Sequence, residues 1–228
     1  MAARQVELGI HDVKVNVGDH LCGLYAGTGE RDELVIRFLE AGLRRGDKCI
    51  CVVDGVEPTE IIGALGPDIG GAQRAADKQL DVMRASDVYL RSGSFSPSEV
   101  ISSWKAAISD AMYDGRFDVV RAVETWSLHE VVPPLRELFA LESEMNRYLP
   151  LYPQVIVCMY DLERFGGGVV VDLLKTHPRI LLGGTVLENP YCLTPDELLG
   201  VDRGKVDALS DEREEVAEWC YAATTGST

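Results

Sequence analysis

Short apolar runs alternate with amphipathic segments of helical length along most of this chain. One run, "HLCGLYAG", begins at His20, and large apolar residues then recur at helical spacing up to Gly46. Further runs are "KCICVVD", "FDVVRAVETW" and "QVIVCMYD", and helical patterns lie between them. Two neighbouring parallel strands need a crossover, which is usually a helix. The alternation therefore predicts an α/β fold with a doubly wound, mostly parallel sheet and helices on both faces.

The length and composition fit a single large domain. The chain has 228 residues, 46% of them hydrophobic, which is enough to bury a full core. We expect residues 1–16 to form a polar lead-in and residues 17–200 to form the domain. The sequence then becomes more charged, and residues 201–228 are predicted to be an acidic C-terminal helix or linker.

The strong negative charge limits the possible partners. With 37 acidic and 22 basic residues the formal net charge is -15, so most of the surface would repel a nucleic acid or an anionic membrane. No run approaches the roughly 20 apolar residues of a membrane span, and the first residues contain no signal-peptide core. We therefore expect a cytoplasmic protein that contacts neither a membrane nor, directly, a nucleic acid.

The turn after the first strand is where many α/β proteins hold a phosphate. A P-loop needs a lysine for the outer phosphates and a serine or threonine for magnesium, but "GTGERDEL" places Glu30 and Asp32 there. Carboxylates at the start of a helix suit its dipole and repel an anion. No G-x-G-x-x-G pattern opens this helix either. We expect no ATP, no NAD and no other cofactor.

The cysteines allow two further interpretations of the chemistry. Four of the six, including Cys22 and Cys158, lie in apolar runs, which indicates reduced, buried thiols. His20 and Cys22 are two residues apart on a strand and share a face, so they form a candidate metal-binding pair. Cys158 with His20 or His177 is a candidate nucleophile and base. No C-x-x-C or H-E-x-x-H motif accompanies them.

Polar and aromatic side chains stand at or near the ends of several predicted strands. Taken singly, each could be a core residue with a satisfied hydrogen bond. Parallel strands, however, bring their carboxyl ends to one edge of a sheet, where α/β proteins bind ligands. The residues predicted to line a ligand pocket there are His20, Tyr25, Glu124, Trp126, Tyr160, Asp161 and His177.

Six short motifs together resemble the MEDS sensory domain family, named after methanogens, methylotrophs and a dichloromethane-responsive regulator. They are "GDHLCGLY", "VETWSL", "ESEMN", "VCMYD", "THP" and "LENPYC", and they extend over roughly Val17 to Cys192. The resemblance places the family's motif residues on the seven pocket candidates. Two positions depart from the family pattern: Val123 replaces a glycine, and Cys192 replaces a second aromatic residue.

The resemblance implies a RecA/KaiC-like fold that has lost the Walker A loop and senses simple hydrocarbon derivatives or similar small molecules. The family occurs alone or joined to DNA-binding, PAS or histidine-kinase modules. We therefore expect a non-enzymatic sensor that takes part in signal transduction and transcription regulation. Its partners would be a small-molecule ligand and a regulatory protein such as a kinase or transcription regulator.

Three alternatives stay open at this point. The chain could be a degenerate RecA-like nucleotidase. It could be a metal-dependent enzyme that uses His20, Cys22 and Glu124. It could also be an interaction module with a filled core and no pocket.

Overall fold

A computed structural model of the chain describes residues 4–113 and 115–200. The strands are β1 (Gln5–Glu7), β2 (Lys14–Asn16), β3 (His20–Tyr25), β4 (Lys48–Val53), β5 (Leu80–Arg84), β6 (Val120–Trp126), β7 (Gln154–Asp161), β8 (Arg179–Leu182) and β9 (Thr185–Glu188). The helices are α1 (Gly27–Arg45), α2 (Pro58–Ala64), α3 (Gly71–Ala76), α4 (Ala85–Tyr89), α5 (Pro97–Met112), α6 (Leu135–Tyr148), α7 (Gly167–Leu174) and α8 (Pro195–Leu199). The acidic C-terminal helix predicted for residues 201–228 lies outside the described residues.

The central sheet has seven strands in the order β5-β4-β6-β7-β3-β8-β9. Every pair is parallel except β8 with β9, which is antiparallel. Helices pack on both faces, so the predicted doubly wound, mostly parallel α/β class is confirmed. In the described part of the chain, no helix is long and apolar enough to cross a membrane.

Alternate residues of each strand point to opposite faces of the sheet, and each face has its own core. On the face that we call the α6 face, Cys22 of β3 packs in one cluster with Trp104 of α5 and Leu138 of α6. On the opposite face, the α1 face, Leu21 of β3 packs with Phe38 of α1. Because helices cover both faces of the sheet, all six residues of β3 are buried. This explains why the strand does not alternate between apolar and polar residues.

The residues predicted to be a polar lead-in contain the antiparallel hairpin β1-β2. Val6 and Val15, which are paired across it, are 2% and 0% exposed and belong to the core of the α1 face. This short segment therefore covers the domain rather than trailing from it.

Local signals in the sequence explain where the helices begin and end. Gly46 ends α1 in the left-handed conformation, with φ of 89°. Pro58 and Pro97 stand in the first turns of α2 and α5, where a missing N–H costs nothing. Thr194 and Glu197 form a capping box at the start of α8.

Candidate functional site

The carboxylate of Glu142 stands at the centre of a buried polar cluster on the α6 face. Helix α6 carries Glu142 and, one turn later, Asn146, so both side chains project toward the sheet. His20 begins β3, Cys158 and Tyr160 lie on β7, and His177 follows α7. Of these residues, His20, Glu142, Cys158, Tyr160 and His177 are all at most 1% exposed.

The distances within this cluster are short. Oε2 of Glu142 lies 3.3 Å from Nε2 of His20 and 3.5 Å from Nε2 of His177. Oε1 of Glu142 accepts a hydrogen bond of 2.5 Å from the Tyr160 hydroxyl. Sγ of Cys158 lies 3.3 Å from Nε2 of His20. One carboxylate therefore contacts three side chains that come from three different parts of the chain.

The other ring nitrogen of each histidine has a partner that fixes its role. The Asn146 amide group donates to the Thr176 carbonyl at 2.6 Å, so the amide oxygen is left to accept from His20 Nδ1 at 2.9 Å. His177 Nδ1 lies 2.9 Å from the carbonyl oxygen of Leu173, which can only accept. Both Nδ1 atoms are therefore donors, and both Nε2 atoms face Glu142.

Burial and neighbouring charges set the protonation of the cluster. Burial, followed by the neighbouring His177, lowers the pKa of His20. Burial also acts to raise the pKa of Glu142, but the neighbouring imidazoles of His177 and His20 outweigh it and hold that pKa well below its usual range. Burial and the Glu142 charge raise the pKa of Cys158 well above its usual value. Without a further cation, Cys158 is a protonated thiol and a poor nucleophile.

A second buried carboxyl group, that of Glu124 on β6, lies among aromatic rings. It accepts a hydrogen bond of 2.5 Å from the Tyr89 hydroxyl, and the Tyr89 ring stacks on Trp126 with centroids 4.6 Å apart. Burial and then the charge of Glu142 raise the pKa of Glu124 to about 8. The indoles of Trp104 and Trp126 lie close enough to lower this pKa partially, but neither indole N–H has a partner in hydrogen-bond geometry. We call Glu124, Tyr89, Trp104 and Trp126 the Glu124 site.

Two clefts and a small recess lie next to these buried groups. A groove of about 610 Å³ runs between α4 and α5, past Tyr89, Arg91 and Ser103. An apolar recess of about 80 Å³ shares Arg91 and Ser103 with it and reaches Trp104. Another cleft, of about 330 Å³, lies at the amino end of β3 and is lined by His20, Asn146 and Cys192, among others.

The structure places the seven predicted pocket residues on two faces of the sheet. His20, Glu124, Trp126, Tyr160 and His177 are on or against the α6 face. Tyr25 is on the α1 face, with its buried hydroxyl unpartnered. Asp161 ends β7 and accepts from the Glu163 N–H at 2.9 Å, as a turn residue does.

Sequence reasoning did not include Glu142, Asn146, Tyr89 or Trp104 among the site residues. The first two belong to the "ESEMN" motif and are four residues apart, so they share a helix face. The apolar residues Leu138, Leu141 and Met145 of that helix are buried, so a buried glutamate beside them was a signal in the pattern.

The turn between β3 and α1 has no free anion-binding group of the P-loop kind. Glu30 accepts a hydrogen bond of 2.8 Å from the Ala26 N–H, so a carboxylate of the chain itself occupies the start of the helix. Arg31, the cation in this turn, pairs with Asp32 at 2.7 Å.

Comparisons with known proteins agree with this chain's motifs. The model of the family "MEthanogen/methylotroph, DcmR Sensory domain" matches residues 19–178. The transcriptional repressor DcmR of Methylorubrum extorquens is 24% identical over 167 residues, which are 70% of this chain and 58% of the repressor. The chain thus spans under three fifths of the length of that curated relative. Among solved structures, the flagellar accessory protein FlaH from Methanocaldococcus jannaschii matches with a TM-score of 0.45 and 11% identity over 74% of this chain and 75% of FlaH. Because the family model covers most of the domain, the chain belongs to the MEDS family of sensory domains.

Proposed function

We propose that this chain is a non-enzymatic sensor that binds a small hydrocarbon derivative at the Glu124 site and reports its presence to a regulatory protein. The observation that carries the proposal is the pair of indole N–H groups of Trp104 and Trp126, which are buried beside Glu124 without partners. A buried donor without a partner costs about 1–3 kcal/mol, and native proteins retain few of them. A ligand oxygen or nitrogen at this place would accept from these groups.

The surroundings favour a ligand that is small and mostly apolar. The recess next to Trp104 is lined by Ile50, Met83 and Val88, and its volume of about 80 Å³ has room for only a few non-hydrogen atoms. Glu124, whose pKa is raised to about 8 by burial, is a neutral acid near neutral pH and can donate or accept a hydrogen bond. Small alcohols and ketones fit this combination.

Two features argue against an enzyme. Glu30 already accepts from the N–H group at the start of α1, which disfavours the nucleotidase alternative. The high pKa of the Cys158 thiol, raised by burial, disfavours nucleophilic catalysis. Calorimetry that gave a tight, magnesium-dependent ATP isotherm would instead favour the nucleotidase.

The relative from Methylorubrum extorquens is a transcriptional repressor, which supports a role in regulation for this chain. The net charge of -15 disfavours direct contact with DNA and suits a protein partner with a basic surface. We therefore infer that a kinase or transcription regulator reads the state of this domain.

A thermal-shift screen of small alcohols, ketones, amines and halocarbons tests the ligand site. A ligand that binds only the folded protein raises its stability by about 2.7 kcal/mol at 100 times its Kd. We expect Glu124→Gln and Trp126→Phe to lose the shift. Tyr25→Phe, which removes an unpartnered buried hydroxyl on the opposite face, is the matched control and should keep it. The proposal is wrong if no compound stabilises the wild type, or if both site variants keep the full shift.

A further inference from the structure

Four side chains with metal-ligating atoms converge on the α6 face, next to the Glu124 site but separate from it. The atoms of His20, Glu142, Cys158 and His177 that can bind a metal all lie within 4.8 Å of one another. Two histidines, a cysteine and a carboxylate are ligands that zinc and similar divalent ions prefer. All four residues are buried, whereas an ordinary acidic cluster is exposed to solvent.

Three of the six separations between these atoms match those of a tetrahedral coordination shell, and all six are within 4.8 Å. Zinc binds nitrogen and oxygen at about 2.0–2.2 Å and sulfur at about 2.3 Å, so neighbouring ligand atoms of a tetrahedron stand about 3.3–3.7 Å apart. The three measured separations are 3.3 Å from His20 to Cys158, 3.3 Å from His20 to Glu142 and 3.5 Å from His177 to Glu142. An ion would therefore fit between these atoms with small adjustments.

The two histidine rings have the orientation that metal-bound histidines show. In such sites the ring nitrogen that does not bind the metal donates to a carbonyl or amide oxygen, which fixes the ring. His20 Nδ1 donates in this way to Asn146, and His177 Nδ1 donates to the Leu173 carbonyl. The lone pair of each Nε2 is thus directed into the cluster.

An independent observation indicates that a cation is needed there. His177 is 0% exposed, and its Nε2 has no hydrogen-bond partner although a Glu142 oxygen lies only 3.5 Å away. A nitrogen lone pair that faces a carboxylate oxygen in the protein interior is unfavourable unless a positive charge lies between them.

We propose that His20, Glu142, Cys158 and His177 bind one divalent transition-metal ion of the zinc type. With a carboxylate, a thiolate and two neutral imidazoles, the occupied site carries no net charge, which suits complete burial. Four protein ligands leave no open position, so the ion has a structural role and joins α6, β3, β7 and the loop between α7 and β8. The cleft lined by His20 and Asn146 supplies a route of entry.

This site differs from the pair His20 and Cys22 that the sequence suggested. Cys22 shares the α6 face with His20, but the cysteine within ligand distance is Cys158 on the neighbouring strand. Cys22 and Cys158 are directly paired in the β3-β7 register, and both are buried. The two thiols therefore form a matched pair for a test.

The test measures bound metal in the full chain. The protein is stripped with a chelator and reloaded with Zn²⁺ or Co²⁺, and metal content is measured by mass spectrometry. We expect about one ion per chain in the wild type. Cys158→Ala and His177→Gln should lose most of it, and Cys22→Ala should retain it. The proposal is overturned if the wild type binds no stoichiometric metal, or if Cys22→Ala loses the metal while Cys158→Ala keeps it.

If the variants fail to fold, the absorption spectrum of the Co²⁺-loaded wild type tests whether Cys158 is a ligand. Tetrahedral coordination with one thiolate gives intense visible bands and a sulfur-to-cobalt charge-transfer band in the near ultraviolet. Circular dichroism of each variant shows whether it is folded. A wild-type spectrum without the charge-transfer band rejects Cys158 as a ligand and with it the proposed site.

Discussion

At the scale of single residues, two buried glutamates on one face of the sheet differ in charge because their neighbours differ. Glu142 faces His177 and His20, which hold its pKa below the usual range. Glu124 faces aromatic rings and lies near the charge of Glu142, and burial together with that charge raises its pKa. One carboxyl group is thus charged and the other is neutral within the same interior.

This difference predicts a pH dependence of stability. The pKa of Glu124 is about 8 in the folded protein and has a reference value of 4.5. Its contribution to stability is therefore fully present below pH 4.5 and is lost as the pH rises through about 8, since the unfolded chain releases the proton first. Glutamine imitates the neutral acid, so Glu124→Gln should match the wild type near pH 5 and be more stable near pH 9.

Urea unfolding of the metal-free protein at several pH values measures this effect. Glu60→Gln, which changes an exposed glutamate of α2, should follow the wild type across the range. Parallel stability curves for the wild type and Glu124→Gln would show that Glu124 is already ionised in the fold.

Some of the site was predictable from the sequence, and the physical reason for each omission is clear. His20, Glu124 and Tyr160 could be named as candidates because polar residues inside apolar runs need an explanation, and His177 was named from the family resemblance. Tyr25 was grouped with His20, although a spacing of five on a strand puts two residues on opposite faces. Which helix covers a strand depends on tertiary packing, so the contact of Glu142 with His20 could not be read from local patterns.

At the scale of elements, Gly42 marks a place where α1 packs tightly on the sheet. A Cβ atom at this position would stand 2.6 Å from Cδ of Arg121 and 2.7 Å from Sγ of Cys49. Arg121 is itself fixed, because it donates to Asp47 at 2.7 Å while buried. The neighbours therefore have little freedom to move away.

Replacing Gly42 by alanine should destabilise the protein by about 1–3 kcal/mol, because overpacking outweighs the better helix propensity of alanine. Gly29→Ala in the same helix is the matched control, since nothing lies within 4 Å of its added Cβ. That change should be neutral or stabilise by up to about 1 kcal/mol. Chemical denaturation of both variants gives the comparison. Equal effects of the two changes would mean that α1 can shift outward.

The elements themselves were largely readable from the sequence, but their spatial order was not. Strands such as β6 and β7 are buried along their whole length and are rich in apolar residues, and this composition predicts a parallel sheet. The same composition gives no preference for one neighbour over another. The position of β3 between β7 and β8 therefore follows from the packing of helices on both faces rather than from any pattern within β3.

At the scale of the whole molecule, the reactivity of the cysteines measures how often the core opens to solvent. In the described part of the chain Cys22, Cys49, Cys51 and Cys158 are buried, Cys192 is partly exposed, and none of them forms a disulfide. From its place in the charged tail we expect Cys220 to react first, and it lies outside the described residues. Buried thiols react only when the structure opens, so their labelling rates follow unfolding.

We expect a thiol reagent to label Cys192 well before Cys49 and Cys51 in the native protein. Burial raises the pKa of Cys51 above its usual range, which slows its reaction further. Mass spectrometry of partially labelled protein identifies the order. Mild urea should bring the buried cysteines together into one labelling phase, and early modification of Cys49 would contradict the closed core seen here.

The last described helix is tied to the one that carries the central carboxylate. Arg147 of α6, five residues after Glu142, makes an ion pair with Asp196 of α8 and a second one with Glu144 at 3.1 Å. A ligand or ion that displaces α6 on binding in the interior would therefore change the contact between α6 and α8. Thermodynamic coupling between two sites is reciprocal. If a regulatory protein binds α8 and a ligand or ion binds in the interior, each would change the binding affinity of the other. The two affinities would change by the same factor.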